Sequence, residues 1–130
     1  MAKVSAVINK EHYKTEIIAG PNKLVADEPT TNGGKGLGFG PGELLAASLA
    51  ACTSITLRMY ADRKEWVVDK IEVDVEFERD EVKNTSSIIR KIHFSGNLDA
   101  EKTEKLMTMA DKCPMHKTLS NQITITTLAI

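Results

Sequence analysis

The sequence predicts an α+β fold in which a β-rich start is followed by a long helix, a β-hairpin and two further helices. Three observations predict it. Short extended runs separated by turn residues fill the first thirty positions, a long apolar stretch follows a Pro-Gly pair, and apolar and acidic residues alternate from position 67 to 79. At 130 residues, with 42% hydrophobic and 27% charged residues, a single domain over 1–130 is expected.

The amino-terminal region reads as a β-meander with strands over Lys3–Asn9, His12–Ala19 and Lys23–Asp27, and with a GPN turn at positions 20–22. The following segment, Thr30–Gly42, carries six of the eight glycines of the chain. No regular element tolerates that density of glycine. We therefore expect a mobile connector that serves as a flexible access loop.

A long helix is predicted to begin at Pro41-Gly42-Glu43 and to run to about Arg63. Proline suits the first turn of a helix, and the acidic side chain of Glu43 complements the positive helix end. The sequence ELLAASLAACTSI is apolar almost all round, which predicts a buried helix. Its longest apolar run, Leu44–Cys52, is shorter than the roughly 20 residues that cross a bilayer, so no membrane span is expected.

An antiparallel hairpin is predicted next. Val67–Arg79 alternates apolar with acidic residues, as a half-buried strand does, and Ser87–Ser95 returns with basic residues facing the acidic row. Asp99 can cap a helix over Ala100–Lys112. The last two predicted elements are a short helix at Pro114–Ser120 and a Thr/Ile strand at Gln122–Ile130.

Charge and cysteine content narrow the partners and the compartment. Seventeen basic against eighteen acidic residues give a formal charge of −1, so no basic surplus favours nucleic acid. The start of the chain lacks a secretory-signal pattern, and two cysteines are too few for a disulfide-stapled secreted scaffold. We expect a cytoplasmic protein with both cysteines reduced.

The sequence argues against two candidate binding motifs. The glycine-rich segment matches neither the phosphate-binding loop nor the Gly-x-Gly-x-x-Gly pattern of dinucleotide sites. Cys113 and His116 have the spacing of half a zinc site, with Cys52 and His93 as the other available ligands, but structural zinc uses two paired ligand groups. No metal and no cofactor are therefore expected.

The two cysteines differ in their predicted surroundings. Cys52 lies in the middle of the apolar helix, where it is either a small buried hydrophobe or a thiol that needs a cation or donor from another segment. Cys113 precedes Pro114, which fits the first position of a helix, so Cys113 falls at the N-cap, where free N–H groups favour a thiolate. His116 can lie beside it as a cation or hydrogen-bond partner, or be a surface histidine.

Glu43 stands nine residues before Cys52, which on a helix is half a rotation and roughly 13 Å away. It cannot serve the thiol of its own helix. A helix-capping charge or a role toward the thiol of a partner chain remain as the two interpretations.

The motifs PGELLAASLAACT and DKCPMHKTL, some sixty residues apart, resemble those of the OsmC/Ohr family of thiol-dependent peroxidases, as does the order of elements along the whole chain. The resemblance implies the OsmC-like fold, with antiparallel β-sheets around a long buried central helix, in an intertwined homodimer. It implies that Cys52 is the peroxidatic and Cys113 the resolving cysteine. It also implies organic hydroperoxide substrates, a thiol reductant such as a dihydrolipoyl group, and an antioxidant role in stress response.

The sequence departs from this family at two positions. Family peroxidases pair the reactive cysteine with an arginine from the amino-terminal strands, whereas no arginine here precedes Arg58, which leaves Lys14 or Lys35. Lysine lacks the bidentate fork of arginine. The family glutamate falls on Gly42, with Glu43 one place later. The alternative function is therefore a non-enzymatic dimeric scaffold or a binder of small apolar ligands.

Overall fold

Five β-strands and three α-helices make up the structure, a computed structural model that describes residues 1–130. In chain order they are β1 (Ser5–Ile8), β2 (Thr15–Ala19), β3 (Asn22–Ala26), α1 (Pro41–Arg63), β4 (Val68–Asp80), β5 (Thr85–Gly96), α2 (Ala100–Ala110) and α3 (Pro114–Leu119). Two compact units, Met1–Leu45 and Ala46–Ile130, divide the chain. The α+β class predicted from the sequence is confirmed.

The amino-terminal unit contains the predicted antiparallel meander, with the strand order β1-β2-β3. Ala19 pairs with Asn22 across a two-residue turn, and Gly20 in that turn has a φ of 59°, a left-handed conformation that glycine adopts without strain. β1 is shorter than predicted because only residues 5–8 pair with β2.

The glycine-rich segment is tethered, and the prediction of a mobile connector is wrong. The buried carboxylate of Asp27 accepts the backbone N–H groups of Tyr13 at 3.1 Å and Glu28 at 2.8 Å. It also accepts those of Lys35 at 3.3 Å and Leu37 at 3.1 Å. One carboxylate thus satisfies four donors and fixes the path of the loop.

The helix α1 begins and ends where the sequence predicts. The Glu43 carboxylate accepts the Gly40 N–H at 2.9 Å, which is the backward half of a capping box. By length and composition alone α1 is apolar enough to cross a membrane. Core helices of water-soluble proteins share that composition.

Burial along α1 is narrower than predicted. Its fully buried residues lie on one stripe at a spacing of four: Leu49, Thr53, Leu57 and Ala61. Ile55 and Met59, on another face, are 55% and 66% exposed. The expectation of a helix buried almost all round is therefore wrong for the single chain, which covers only one side of it.

The second unit holds the main core. β4 and β5 pair in antiparallel register, with Ile71 opposite Phe94 and Val73 opposite Ile92, which confirms the predicted hairpin. The core residues of α1, β4 and α2 are Leu57, Ala61, Val68, Leu106 and Ala110, and side chains from the inner face of the hairpin pack against them. The alternating acidic residues of β4 lie on the exposed face.

The carboxyl-terminal part follows the local signals up to residue 120. The Asp99 side chain accepts the Lys102 N–H at 2.8 Å at the start of α2, as predicted. The predicted strand Gln122–Ile130 is not formed, and all of its residues are exposed. A strand needs a neighbour for its backbone groups, and nothing in the chain pairs with this segment.

Candidate functional site

The site is built around the sulfur of Cys113, which lies at the N-cap of α3. Pro114 takes the first helical position, where its missing N–H costs nothing. The next free donor, the His116 N–H, points at Cys113 Sγ at 3.3 Å. Cys113 is fully buried. The predicted N-cap position of this cysteine is confirmed.

Cys52, in the middle of α1, is half-buried, and its side chain lies close enough to Cys113 to lower the pKa of that thiol. Thr53, the next residue, lies on the buried stripe with its Oγ1 3.9 Å from Cys113 Sγ. The fold therefore brings together two cysteines that are sixty-one positions apart. Both are free thiols in the structure.

Arg90 supplies the positive charge of this site from the inner face of β5. Its side chain is 11% exposed and ends in four polar contacts. Nη1 donates to Thr53 Oγ1 at 3.1 Å and to the Ala110 carbonyl at 3.2 Å. Nη2 donates to Asp111 Oδ1 at 2.9 Å and contacts His116 Nδ1 at 3.2 Å. A guanidinium only donates, so His116 Nδ1 is the acceptor in this contact.

Opposing effects act on the Cys113 thiol. Burial raises its pKa, whereas hydrogen bonding to the thiolate form by the His116 N–H, Cys52 and Thr53 lowers it, as does the charge of Arg90. The lowering effects outweigh burial, so the pKa of Cys113 lies below its usual value. This sulfur is therefore more ionised at neutral pH than an ordinary buried thiol.

Of the predicted site residues, the structure brings together Cys52, Cys113 and His116. His116 acts on the sulfur through its backbone N–H, while its imidazole faces Arg90. Glu43 caps α1, in keeping with the first of its two interpretations. Lys35 pairs with Glu11 at 3.0 Å on the surface, and Lys14 is half-buried next to β2.

Sequence reasoning missed Arg90 and Thr53. A signal for Arg90 was present, because it occupies a core-facing position between Ile88 and Ile92 on a strand whose charged residues should face solvent. Thr53 carried no such signal, since a threonine hydroxyl on a helix is ordinarily satisfied by the carbonyl four residues earlier. Here it donates to Leu49 O at 2.7 Å as well as facing the sulfur.

A cavity of about 680 Å³ opens beside Arg90 and His116, next to the two cysteines, neither of which lines it. Its apolar wall includes Leu49, Ile88, Met107 and Leu119, and its polar wall includes Arg90 and His116. This size and mixture of linings are typical of small-molecule sites. No group of three or more His, Cys, Asp or Glu side chains is arranged to hold a metal ion.

The α+β fold places one cysteine on a core helix and a second at a helix N-cap, with Arg90 beside them. These features define a protein with a two-cysteine thiol site. Residues 33–128 match the family described as OsmC-like protein. The chain belongs to the OsmC-like family. The resemblance stated from the sequence, and the OsmC-like fold that it implied, are thereby confirmed.

Solved structures from this family share the fold. A Psychrobacter arcticus protein described as an osmotic stress induced and detoxification response protein has a TM-score of 0.78 at 26% identity, covering 91% of this chain and 88% of its own. The organic hydroperoxide resistance protein OhrB of Bacillus subtilis has a TM-score of 0.64 at 26% identity, covering 92% and 90%.

An OsmC like protein from Mycoplasma pneumoniae has a TM-score of 0.75 at 23% identity, covering 92% of this chain and 86% of its own, which supports the fold alone. No curated protein sequence matches the chain.

Proposed function

We propose that this protein reduces organic hydroperoxides, with Cys52 as the attacking cysteine and Cys113 as the resolving cysteine. The observation that carries the proposal is the closeness of the two cysteine side chains to each other and to Arg90. The family also includes a relative named as an organic hydroperoxide resistance protein, at 26% identity.

The proposed cycle balances with an external thiol as the electron source. The Cys52 thiolate attacks the terminal peroxide oxygen, the O–O bond breaks, and the alkoxide leaves and takes a proton to become an alcohol. The Cys113 thiolate then attacks the sulfur of the Cys52 sulfenic acid and displaces hydroxide, which forms a disulfide. Two external thiols reduce that disulfide and become a disulfide themselves.

The division of roles follows from exposure. Cys113 is fully buried, whereas Cys52 is only half-buried, so Cys52 is the sulfur with surface open to a peroxide. The lowered pKa of Cys113 suits a resolving thiol, because its thiolate is the form that attacks the sulfenic acid.

The lining of the cavity supports a class of substrate. Leu49, Ile88, Met107 and Leu119 give it an apolar wall against which an alkyl or aryl group can be buried, while hydrogen peroxide has no group to bury there. We therefore propose a preference for organic hydroperoxides over hydrogen peroxide. A dihydrolipoyl compound is the proposed reductant, because its two thiols can reduce the disulfide in one encounter.

Intact mass spectrometry tests the proposal. One equivalent of cumene hydroperoxide is added to reduced wild type, to Cys113→Ser and to Cys52→Ser. Wild type is expected to lose two hydrogen atoms, Cys113→Ser to gain oxygen on Cys52, and Cys52→Ser to stay unchanged. Hydrogen peroxide at the same concentration is the matched comparison and is expected to react more slowly.

An unchanged wild-type mass would contradict the proposed peroxidase activity. The second candidate function is then a non-enzymatic protein whose cavity binds a small apolar ligand. That second candidate rests on the cavity itself. It would be supported if an apolar probe such as a long-chain alcohol raised the melting temperature of both cysteine variants as much as that of wild type.

We further propose that the working form is a cytoplasmic homodimer. Ile55 and Met59 on the exposed face of α1 line an apolar groove of about 400 Å³, together with Ile71. Ile123 and Ile125 in the unpaired carboxyl-terminal segment are also exposed. Apolar surface of this kind marks a protein–protein contact. The two unpaired thiols suit a reducing compartment.

Sedimentation analysis tests the dimer. Ile55→Asp and Met59→Asp together are expected to shift the protein from dimer to monomer, because each places a charge in the buried contact. Val82→Asp is the matched control, since Val82 is 97% exposed on the turn between β4 and β5. A wild-type monomer, or a double variant that stays dimeric, would contradict this proposal.

A further inference from the structure

The two sulfurs of the site are supported very unequally. Cys113 Sγ accepts the His116 N–H at 3.3 Å, lies 3.9 Å from Thr53 Oγ1, and has no exposed surface. Cys52 lies in the middle of α1, far from the N–H groups of its first turn, and is partly exposed. Any disulfide between them would therefore have one accessible and one enclosed sulfur.

Arg90 holds the enclosing groups in place. Its Nη1 donates to both Thr53 Oγ1 and Ala110 O. These two hydrogen bonds connect α1 to the end of α2, three residues before Cys113. Its Nη2 bonds to Asp111 and His116 on either side of Cys113 in sequence. One side chain from β5 thus fixes the hydroxyl and the helix start that face the sulfur.

Thr53 can respond to the charge of that sulfur. Its hydroxyl has one proton, which the structure directs to Leu49 O at 2.7 Å, while Arg90 occupies the oxygen as an acceptor. Its oxygen lies 3.9 Å from Cys113 Sγ, so rotation of the hydroxyl can turn this proton toward a thiolate without moving the oxygen. Negative charge on the buried sulfur is then stabilised by hydrogen bonds from Thr53 and the His116 N–H and by the nearby charge of Arg90.

We propose that Arg90 is a positioning residue which makes Cys113 the leaving sulfur when an external thiol reduces the Cys52–Cys113 disulfide, so that the incoming thiol bonds to Cys52. The inference rests on the proposed function only in requiring that the two cysteines form a disulfide.

The exchange balances in two steps. The external thiolate attacks Cys52 Sγ, the S–S bond breaks, and its electron pair stays on Cys113 as a thiolate. A second external thiolate attacks the external sulfur of the mixed disulfide, which leaves Cys52 as a thiolate that takes a proton from solvent. The protein disulfide gains two electrons and the two external thiols lose them. A stabilised leaving thiolate departs faster, which sets the direction of the first step.

The test prepares the disulfide with diamide, so that it is independent of peroxide chemistry. Oxidised wild type is mixed with 2-mercaptoethanol, quenched with acid and excess maleimide, and mapped by peptide mass spectrometry. The mixed disulfide is expected on Cys52 and the maleimide on Cys113, with at least about tenfold less of the reverse arrangement. Equal amounts, or a mixed disulfide mainly on Cys113, would overturn the proposal.

Variants then separate positioning from mere stability. Arg90→Gln is expected to slow the first step roughly threefold or more and to increase mixed disulfide on Cys113, and Arg90→Lys to restore part of both. Thr53→Val keeps the side-chain shape and removes the hydroxyl, so it serves if Arg90→Gln does not fold. Lys91→Gln, on the same strand and exposed, is the control that leaves rate and partition unchanged.

Two failures are distinguishable. If diamide forms the disulfide but cumene hydroperoxide does not, the peroxidase proposal fails and the partition experiment still decides the role of Arg90. If diamide cannot form the disulfide, the cysteines do not pair, and both the resolving role of Cys113 and this inference are overturned. Unchanged partition in both Arg90→Gln and Thr53→Val would also overturn the role of Arg90.

Discussion

The two units each bury one charged side chain, and they satisfy it in opposite ways. Asp27, in the amino-terminal unit, accepts four backbone N–H groups and no side-chain cation. Arg90, in the second unit, donates to a hydroxyl, a carbonyl, a carboxylate and an imidazole. The backbone partners of Asp27 fix the path of the chain. The side-chain partners of Arg90, in contrast, can reorient when the charge of the neighbouring sulfur changes.

This difference predicts where substitutions damage the fold and where they damage the proposed reaction. Around Asp27 the backbone itself is the partner, so any change of loop path breaks several hydrogen bonds together. Around Arg90 three of the four partners are side chains, and each of these can be removed singly.

Gly38→Ala is expected to have the largest effect on stability. A Cβ at this position would lie 1.9 Å from the Val25 carbonyl oxygen, so the loop must move away from β3. That movement also weakens the bond of the Phe39 N–H to Val25 O, now 3.2 Å. We expect a loss of about 3 kcal/mol in the free energy of unfolding, measured by urea denaturation.

Gly36→Ala is the matched control in the same loop. No atom lies within 4 Å of a Cβ added there, and its φ of 64° leaves only the strain of a left-handed alanine. We expect a loss of about 1 kcal/mol. If the two alanine variants were equally stable, the close contact between the loop and β3 would be contradicted.

Asp27→Asn is expected to lower the melting temperature by roughly 5–10 °C at neutral pH. The amide has one oxygen, so it can satisfy the Tyr13 and Glu28 donors or the Lys35 and Leu37 donors, and it turns an N–H₂ group toward the other pair. A thermal shift no larger than that of an exposed substitution would contradict the role of Asp27 as the anchor of the loop.

Protonation of Asp27 should also contribute to the loss of stability in acid. Burial raises its pKa, but the backbone N–H groups, with Leu37 first, hold it below the ordinary 3.8. The ionised form therefore stabilises the fold fully above pH 3.8, and this contribution is lost as pH falls through the lower folded-state pKa. In Asp27→Asn that part of the acid-induced decline should be absent from unfolding curves.

These contrasts also explain what the sequence could predict. The starts of α1, α2 and α3 follow from Pro41, Asp99 and the Cys113-Pro114 pair, because caps are local in sequence. The hairpin follows from strict alternation. The bonds of Asp27 reach up to fourteen residues along the chain, and a meander pattern does not reveal them.

The site was predictable in part for the same reason. The N-cap position of Cys113 is a local signal, whereas the cation beside it comes from β5, twenty or more residues earlier. The family resemblance implied an arginine on the amino-terminal strands instead. The missing carboxyl-terminal strand is a failure of another kind, since alternation in 122–130 is present and a pairing strand within the chain is not.

Cys113→Ala should alter the opposite side of the pH profile. Because hydrogen bonding and Arg90 outweigh burial, the folded-state pKa of Cys113 lies below the ordinary 9.0. Its thiolate therefore adds stability as pH rises from the folded-state pKa, and the gain is complete above pH 9.0. Unfolding under reducing conditions should show this rise in wild type and not in Cys113→Ala.

The same pH-dependent unfolding measured on Asp27→Asn tests whether Asp27 and Cys113 act independently. The free energy of unfolding of Asp27→Asn should fall less in acid than that of wild type and should still rise at alkaline pH. That of Cys113→Ala should fall in acid as wild type does and should not rise at alkaline pH. If both variants changed the same side of the pH profile of stability, Asp27 and Cys113 would not act independently, and their effects would not be additive.

Asp111→Asn is expected to have the smallest effect, about 0.5 kcal/mol or less. The carboxylate lies 2.9 Å from Arg90 Nη2, but its side chain is 69% exposed, and water screens such a pair. Arg90 also keeps Thr53 Oγ1 and Ala110 O as acceptors after the change. Urea denaturation at low and high salt measures the loss, and added salt should reduce the difference from wild type. A loss of more than about 1.5 kcal/mol would mean that Arg90, like Asp27, depends on its whole set of partners at once, and the contrast between the two buried charges would disappear.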